Sequence, residues 1–188
     1  EIFVKGKQVK VHSPKDIIKE GVALITEDRK VTGLNLSGSV NDNIAMVAIK
    51  KLLSHGLYNK NKARAASMEY IKKLNIKTPS GDQIAGNLSG GNQQKIVIAK
   101  WLLNDPDIII LDEPTRGIDV GAKRDIYLLL GKLVQQGKAV IMISSELPEL
   151  MGVCDRIMVM CEGNLSGEVQ RDAFSQERIM TLASAIEV

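Results

Sequence analysis

Apolar and polar residues alternate from Ile2 to Val11 around Gly6-Lys7, the two-residue period of a β-hairpin. Ser13-Pro14-Lys15-Asp16 combines a capping serine with a proline in the first turn, which opens a short helix that Gly21 closes. Residues 22–26 follow as a buried strand, and the polar, glycine-bearing stretch 27–38 as a loop. Ser-x-x-Asp at 39–42 starts a second helix whose apolar stripe is Ile44, Val47, Ala48 and Leu52. A third helix, over residues 60–75, spaces Ala63, Ser67, Tyr70, Ile71 and Leu74 along one face. Residues 30–87 therefore read as a small helical insert between two pieces of an α/β core.

From Asn87 the pattern alternates. The predicted elements are a helix over 93–103, a strand over 107–111, a helix over 122–135 and a strand over 139–143. A short helix from Leu147-Pro148, a strand over 156–161, a hairpin turn at Glu162-Gly163-Asn164 into a strand over 165–169, and a helix over 175–185 complete the chain. Strands alternating with helices of this length predict a mostly parallel sheet with crossover helices.

Composition narrows the picture. With 188 residues, 44% of them apolar, the chain can bury a core, and with 3% aromatics that core must be aliphatic. A net charge of +3 does not announce a nucleic-acid or membrane partner. Between residues 50 and 77, eight basic side chains face one acid, Glu69. They read either as a solvated helical surface or as a dock for an anionic partner or membrane-proximal loop. They share no helical stripe, and only Tyr58 and Tyr70 accompany them, so they form no base-stacking platform. Cys154 and Cys161 lack metal-ligand spacing and suit a reducing cytosolic compartment as core thiols. The best apolar runs, 108–111 and 139–143, are far short of the ~18 residues that cross a bilayer. No signal-peptide pattern is present, and a sequence opening inside a strand suggests a piece of a longer chain.

Two motifs carry chemistry. Leu88-Ser89-Gly90-Gly91 stands at the start of a helix, where unpaired N–H groups and the helix dipole favour a phosphate. The glycines admit an anion close to the backbone, although a plain cap with a flexible turn has the same pattern. Ile108-Ile109-Ile110-Leu111-Asp112-Glu113 is a buried strand ending in two carboxylates, at the strand end where α/β sheets place their ligands. Asp112 there can hold Mg²⁺ through water and Glu113 can orient or deprotonate an attacking water; a pair of caps on the next turn is the plainer reading.

Together these residues resemble the ABC ATPase family over essentially the whole chain. Residues 88–94 are similar to its signature loop, 108–113 to its Walker B strand, and Gly117-Ile118-Asp119 to its D-loop. Asn92-Gln93-Gln94-Lys95, Glu27-Asp28-Arg29-Lys30 and Ser144-Ser145-Glu146 sharpen the likeness to the second ATPase half of tandem subunits energising bacterial ribose-, galactose- and xylose-type sugar importers. The resemblance implies an incomplete P-loop NTPase-like core with an inserted α-helical subdomain. Its divisions would be a core piece with the Q-loop region (1–29), a helical subdomain with the signature (30–95) and a second core piece (96–188). It implies ATP and Mg²⁺ as ligands, bound by Ser89, Gly90, Gly91, Asn92, Gln93, Asp119, Thr26 and Glu27, with the metal on Asp112 and Glu113 catalytic. The implied partners are the other ATPase half, membrane permease subunits and indirectly a sugar-binding protein, on the cytoplasmic face of the membrane. A non-transport relative acting on nucleic acid, or a silent interaction module, are the competing classes; the long charged linkers or coiled-coil insertions expected of the former are absent.

Three departures from the family pattern matter. No Gly-x-x-x-x-Gly-Lys-Ser/Thr loop occurs, so the triphosphate lacks its main cradle and strands of the core should expose apolar surface. Ser145 stands where the family has its switch histidine, and serine cannot shuttle a proton near neutral pH. Thr26 or Glu27 replaces the expected Q-loop glutamine. His12 and His55 are expected at the surface. The chain should therefore offer a phosphate clamp to a partner's ATP site and turn over slowly at its own.

Overall fold

The computed structural model describes residues 1–184, which divide into two compact units between Ile143 and Ser144. In the first unit, β1 (Ile2–Val4) and β2 (Lys7–Val9) pair antiparallel. Their turn sits on Lys5 and Gly6, with φ of 51° and 73°, rather than on the expected Gly6-Lys7. Two left-handed residues give a two-residue turn the twist its strands need. α1 (Pro14–Lys19) opens on a capping box in which the Asp16 carboxylate accepts the Ser13 N–H at 3.0 Å. β3 (Val22–Ile25) stops one residue before the expected end. His12 and His55 are both exposed.

The stretch expected as a loop contains a π-helical turn, Arg29–Gly33, because Asp28 accepts the N–H groups of Lys30 (2.9 Å) and Val31 (3.1 Å). α2 (Val40–Ala45) is capped by Ser39 as its sequence predicts, but it ends well before Leu52. A 3-10 turn, Ile49–Leu52, continues the chain, and the i, i+4 spacing still buries Ile44, Ala48 and Leu52 while Val47 is half-buried. Next comes a small hairpin of β4 (Leu53–Ser54) and β5 (Leu57–Tyr58), turned by His55 and Gly56, which periodicity does not reveal. α3 (Lys60–Lys73) buries Ala63 and Ser67, and the Tyr70 hydroxyl donates to Leu102 O at 2.8 Å. Its lysines face outward, as a solvated surface would.

α4 (Gly90–Leu102) is the axis of the unit, buried from Gln93 through Lys100 without interruption. It begins at Gly90, three residues earlier than expected. β6 (Ile108–Asp112), α5 (Val120–Gln135) and β7 (Ala139–Ile143) follow. β3, β6 and β7 form a parallel sheet with β6 in the centre, and the register sets Leu24, Ile110 and Ile141 in one row. Adjacent residues point to opposite faces, so Ile25, Ile109 and Leu111 pack with Ile96, Ile98, Ile126 and Leu130 in the main core. On the other face Leu24, Ile141 and Ile143 are about half exposed, which is the uncovered apolar strand surface that was expected.

Buried Lys95 of α4 donates to Asp125 of α5 at 2.7 Å, and that bond holds the Asp125 carboxyl below the usual carboxylate range. A folded value below the unfolded one means a contribution present at neutral pH and lost as pH falls below about 4 through the folded value. Asp125→Asn is expected to flatten the acid limb of stability, read as the urea midpoint between pH 3 and 7. An unchanged limb would show the bond to be idle. The effect is small because the carboxylate is half exposed.

The second unit contains α6 (Leu147–Val153), β8 (Arg156–Cys161), β9 (Asn164–Gln170) and α7 (Gln176–Ala183). β8 and β9 pair antiparallel as the expected hairpin, across a turn whose Glu162 and Gly163 both have positive φ. Ile157, Val159, Val169 and Ile179 form its core. Cys154 and Cys161 are half-buried rather than core thiols, and partial burial raises the Cys154 thiol above its usual value. The expected end of the last helix at residue 185 lies outside the described residues. No helix among the described residues is long and apolar enough to cross a membrane.

Candidate functional site

The glycine motif and the carboxylate strand occupy successive ends of the first unit's central elements. Ser89 is the N-cap of α4, with extended backbone, and Gly90 and Gly91 form the helix's first turn. The Ser89 side chain does not cap its own helix; its hydroxyl instead accepts from Asn92 Nδ2 at 2.9 Å. The Asn92 carbonyl oxygen in turn accepts the Lys77 N–H at 2.8 Å. The first-turn N–H groups and the serine hydroxyl are thus held at a helix start suited to an anion.

Packing requires glycine at 91 and crowds position 90. A Cβ on Gly91 would collide with Ala122 Cβ in the first turn of α5, and one on Gly90 would lie 2.8 Å from Arg29 Nη2 and 3.2 Å from Gly117 O. Asp119 caps α5 by accepting the Ala122 N–H at 2.9 Å, so it supports the helix start that Gly91 touches. Gln93, expected to bind nucleotide, is buried, and its amide donates to Ala85 O at 3.3 Å and Gly86 O at 3.4 Å. Four residues beyond the cap, its side chain points into the core and braces the turn before α4.

Asp112 ends β6, and Glu113 follows in the left-handed region with φ of 45° while its N–H donates to Ile143 O at 2.9 Å. A non-glycine residue there stores strain of order 1–3 kcal/mol, a feature concentrated at functional sites. No three His, Cys, Asp or Glu side chains converge as metal ligands among the described residues. Mg²⁺ needs only one or two carboxylates beside phosphates and water, so Asp112 with Glu113 next to it fits that ion.

Thr26 and Glu27 do not stand apart as ligand groups. The Thr26 and Thr32 hydroxyls share a hydrogen bond of 2.6 Å, and Glu27 forms an ion pair with Arg116. Ser145 is exposed in the second unit, beside Ser144, whose hydroxyl accepts the Glu146 N–H at 3.0 Å. Arg29, cited in the sequence only as part of Glu27-Asp28-Arg29-Lys30 and given no role there, donates through its guanidinium to Arg116 O at 2.9 Å and Gly117 O at 3.2 Å. A cation inside an otherwise polar loop was the available signal.

Residues 1–116 match the family model described as ABC transporter. The chain is 52% identical to the ribose import ATP-binding protein RbsA of Clostridium tetani over 186 residues, which are 98% of this chain and 37% of that protein. It is 50% identical to the xylose import ATP-binding protein XylG of Thermoanaerobacter pseudethanolicus, covering 98% of this chain and 36% of that protein. The chain thus spans little more than a third of the length of these relatives. Among solved structures it is similar to cbiO1 of Clostridium perfringens, part of the ABC transporter complex cbiONQ, with a TM-score of 0.73 at 23% identity over 94% of this chain and 68% of that one. A dimeric ATP-binding cassette bound to ADP and Pi gives a TM-score of 0.67 at 24% identity, covering 81% of this chain and 64% of that one. These likenesses establish a common fold.

Proposed function

Because the chain belongs to the ABC transporter family, we propose that it is part of the ATP-hydrolysing subunit of an importer for a monosaccharide of the ribose, galactose or xylose type. The observation that carries this reading is the start of α4, where Ser89 and two closely packed glycines present N–H groups to an anion. Ser89, Gly90 and Gly91 would clamp the terminal phosphate of an ATP held mainly by another ATPase half. The names of the relatives that match support ribose and xylose as the kind of cargo.

At the chain's own carboxylates, Asp112 would hold Mg²⁺ through water and Glu113 would orient the attacking water. The ion, when bound, would neutralise charge on the phosphates. Asn92 would keep the Ser89 hydroxyl in place, and Asp119 would hold the neighbouring helix start. With Ser145 at the histidine position, this second site would turn over slowly or only retain nucleotide. The partners would be the other ATPase half, the permease subunits and, through them, a sugar-binding protein, at the cytoplasmic face of the membrane.

Calorimetry with ATP and Mg²⁺ checks the reading. This chain is expected to show little or no binding, and a relative-length protein carrying it together with a Gly-x-x-x-x-Gly-Lys-Ser/Thr loop is expected to bind in the micromolar range, about −8 kcal/mol. Equal tight binding by both would mean that the chain owns a complete nucleotide site and that the clamp reading is wrong.

A further inference from the structure

Arg29 is placed where three separated segments meet. It opens the π-helical turn Arg29–Gly33, and its two terminal nitrogens donate to Arg116 O (2.9 Å) and Gly117 O (3.2 Å), 87 and 88 residues further along the chain. The same guanidinium lies against Gly90, crowding any side chain placed there. Its Nε is buried and has no acceptor, so the fork is held by the two carbonyls. Buried Lys100, in the last turns of α4, donates to Gly33 O, while Gly33 packs against Val97. Glu27 adds an ion pair with Arg116. The turn is therefore fastened to both ends of α4 and to the loop after β6.

We propose that Arg29 is a positioning residue that sets the first turn of α4 and the Arg116–Gly117 backbone in one register, linking the loop after β3 to the phosphate clamp. A planar fork with two diverging donors can bridge adjacent carbonyls, whereas a lysine offers one mobile point charge. A shift of the loop after β3 is thereby transmitted to Gly90 and to the segment that leads into the Asp119 cap. The role in ATP hydrolysis rests on the proposed clamp; the link itself does not.

Amide hydrogen exchange on this chain tests the link. Arg29→Lys and Arg29→Ala should both speed exchange about tenfold or more at residues 89–93 and 115–121, with α3 and the β8–β9 hairpin unchanged. Unchanged exchange at both segments, a uniform rise across the chain, or full rescue by lysine would overturn it. In a relative-length protein with its permease, Arg29→Lys should lower kcat for ATP hydrolysis about tenfold while the ATP Kd stays within about twofold, the mark of lost positioning. Faster exchange in a protein whose kcat is insensitive to Ser89→Arg would keep the link and sink the clamp.

Discussion

Gly91→Ala is expected to destabilise the chain by about 1–3 kcal/mol, the usual cost of forcing an extra methyl into a filled contact. The sign is informative, because helix propensity alone favours alanine over glycine by about 1 kcal/mol. The built Cβ would overlap Ala122 Cβ, which belongs to the first turn of α5 and is tethered by the Asp119 cap. α4 cannot withdraw, since it is buried through its middle and tied to α5 again by Lys95 and Asp125. Ala122→Gly removes the opposing methyl, so the double variant should recover most of the loss, with a coupling of about 1–2 kcal/mol. Urea unfolding of the four proteins measures it. Gly90→Ala should cost less, because the nearest atom is the far end of the Arg29 side chain, which can move. An increase in stability on Gly91→Ala would mean that α4 and α5 do not meet as described.

Such contacts mark the boundary of what the sequence discloses. Elements set by local signals are legible: Ser13-Pro14 opens α1, Ser39 caps α2, and β7 and β8 begin and end where their apolar runs do. The motifs are legible too, since Ser89, Gly90, Gly91 and the Asp112-Glu113 pair stand at element ends in both readings. The failures occur where side-chain contacts rather than local sequence signals decide. α4 has no polar stripe, so periodicity gives no sign that Gln93 turns inward to Ala85 and Gly86. The β8–β9 hairpin, by contrast, is legible, because its Glu162-Gly163-Asn164 turn is a local signal. Arg29 shows locally only as a cation in a polar loop, and its role stays hidden because both carbonyls it serves are more than eighty residues away.

Ser89→Arg is expected to abolish sugar uptake by a relative-length protein and to lower its ATPase kcat on the order of 10²–10³-fold, the loss seen when a preorganised donor to developing charge is removed. Arginine would remove the hydroxyl that Asn92 holds and place a long cationic side chain at the start of α4, beside the two glycines. Glu113→Gln is expected to cost far less. Glutamine is isosteric, keeps the N–H donated to Ile143 O and adopts the same left-handed backbone, so it removes only the charge, at carboxylates proposed to turn over slowly. The asymmetry separates service to a partner's phosphate from hydrolysis at the chain's own carboxylates, and stability-matched uptake and ATPase assays on the two variants read it directly. If Glu113→Gln stopped transport while Ser89→Arg left it intact, the assignment would be reversed: the carboxylates would be doing the hydrolysis, and α4 would begin in an ordinary cap.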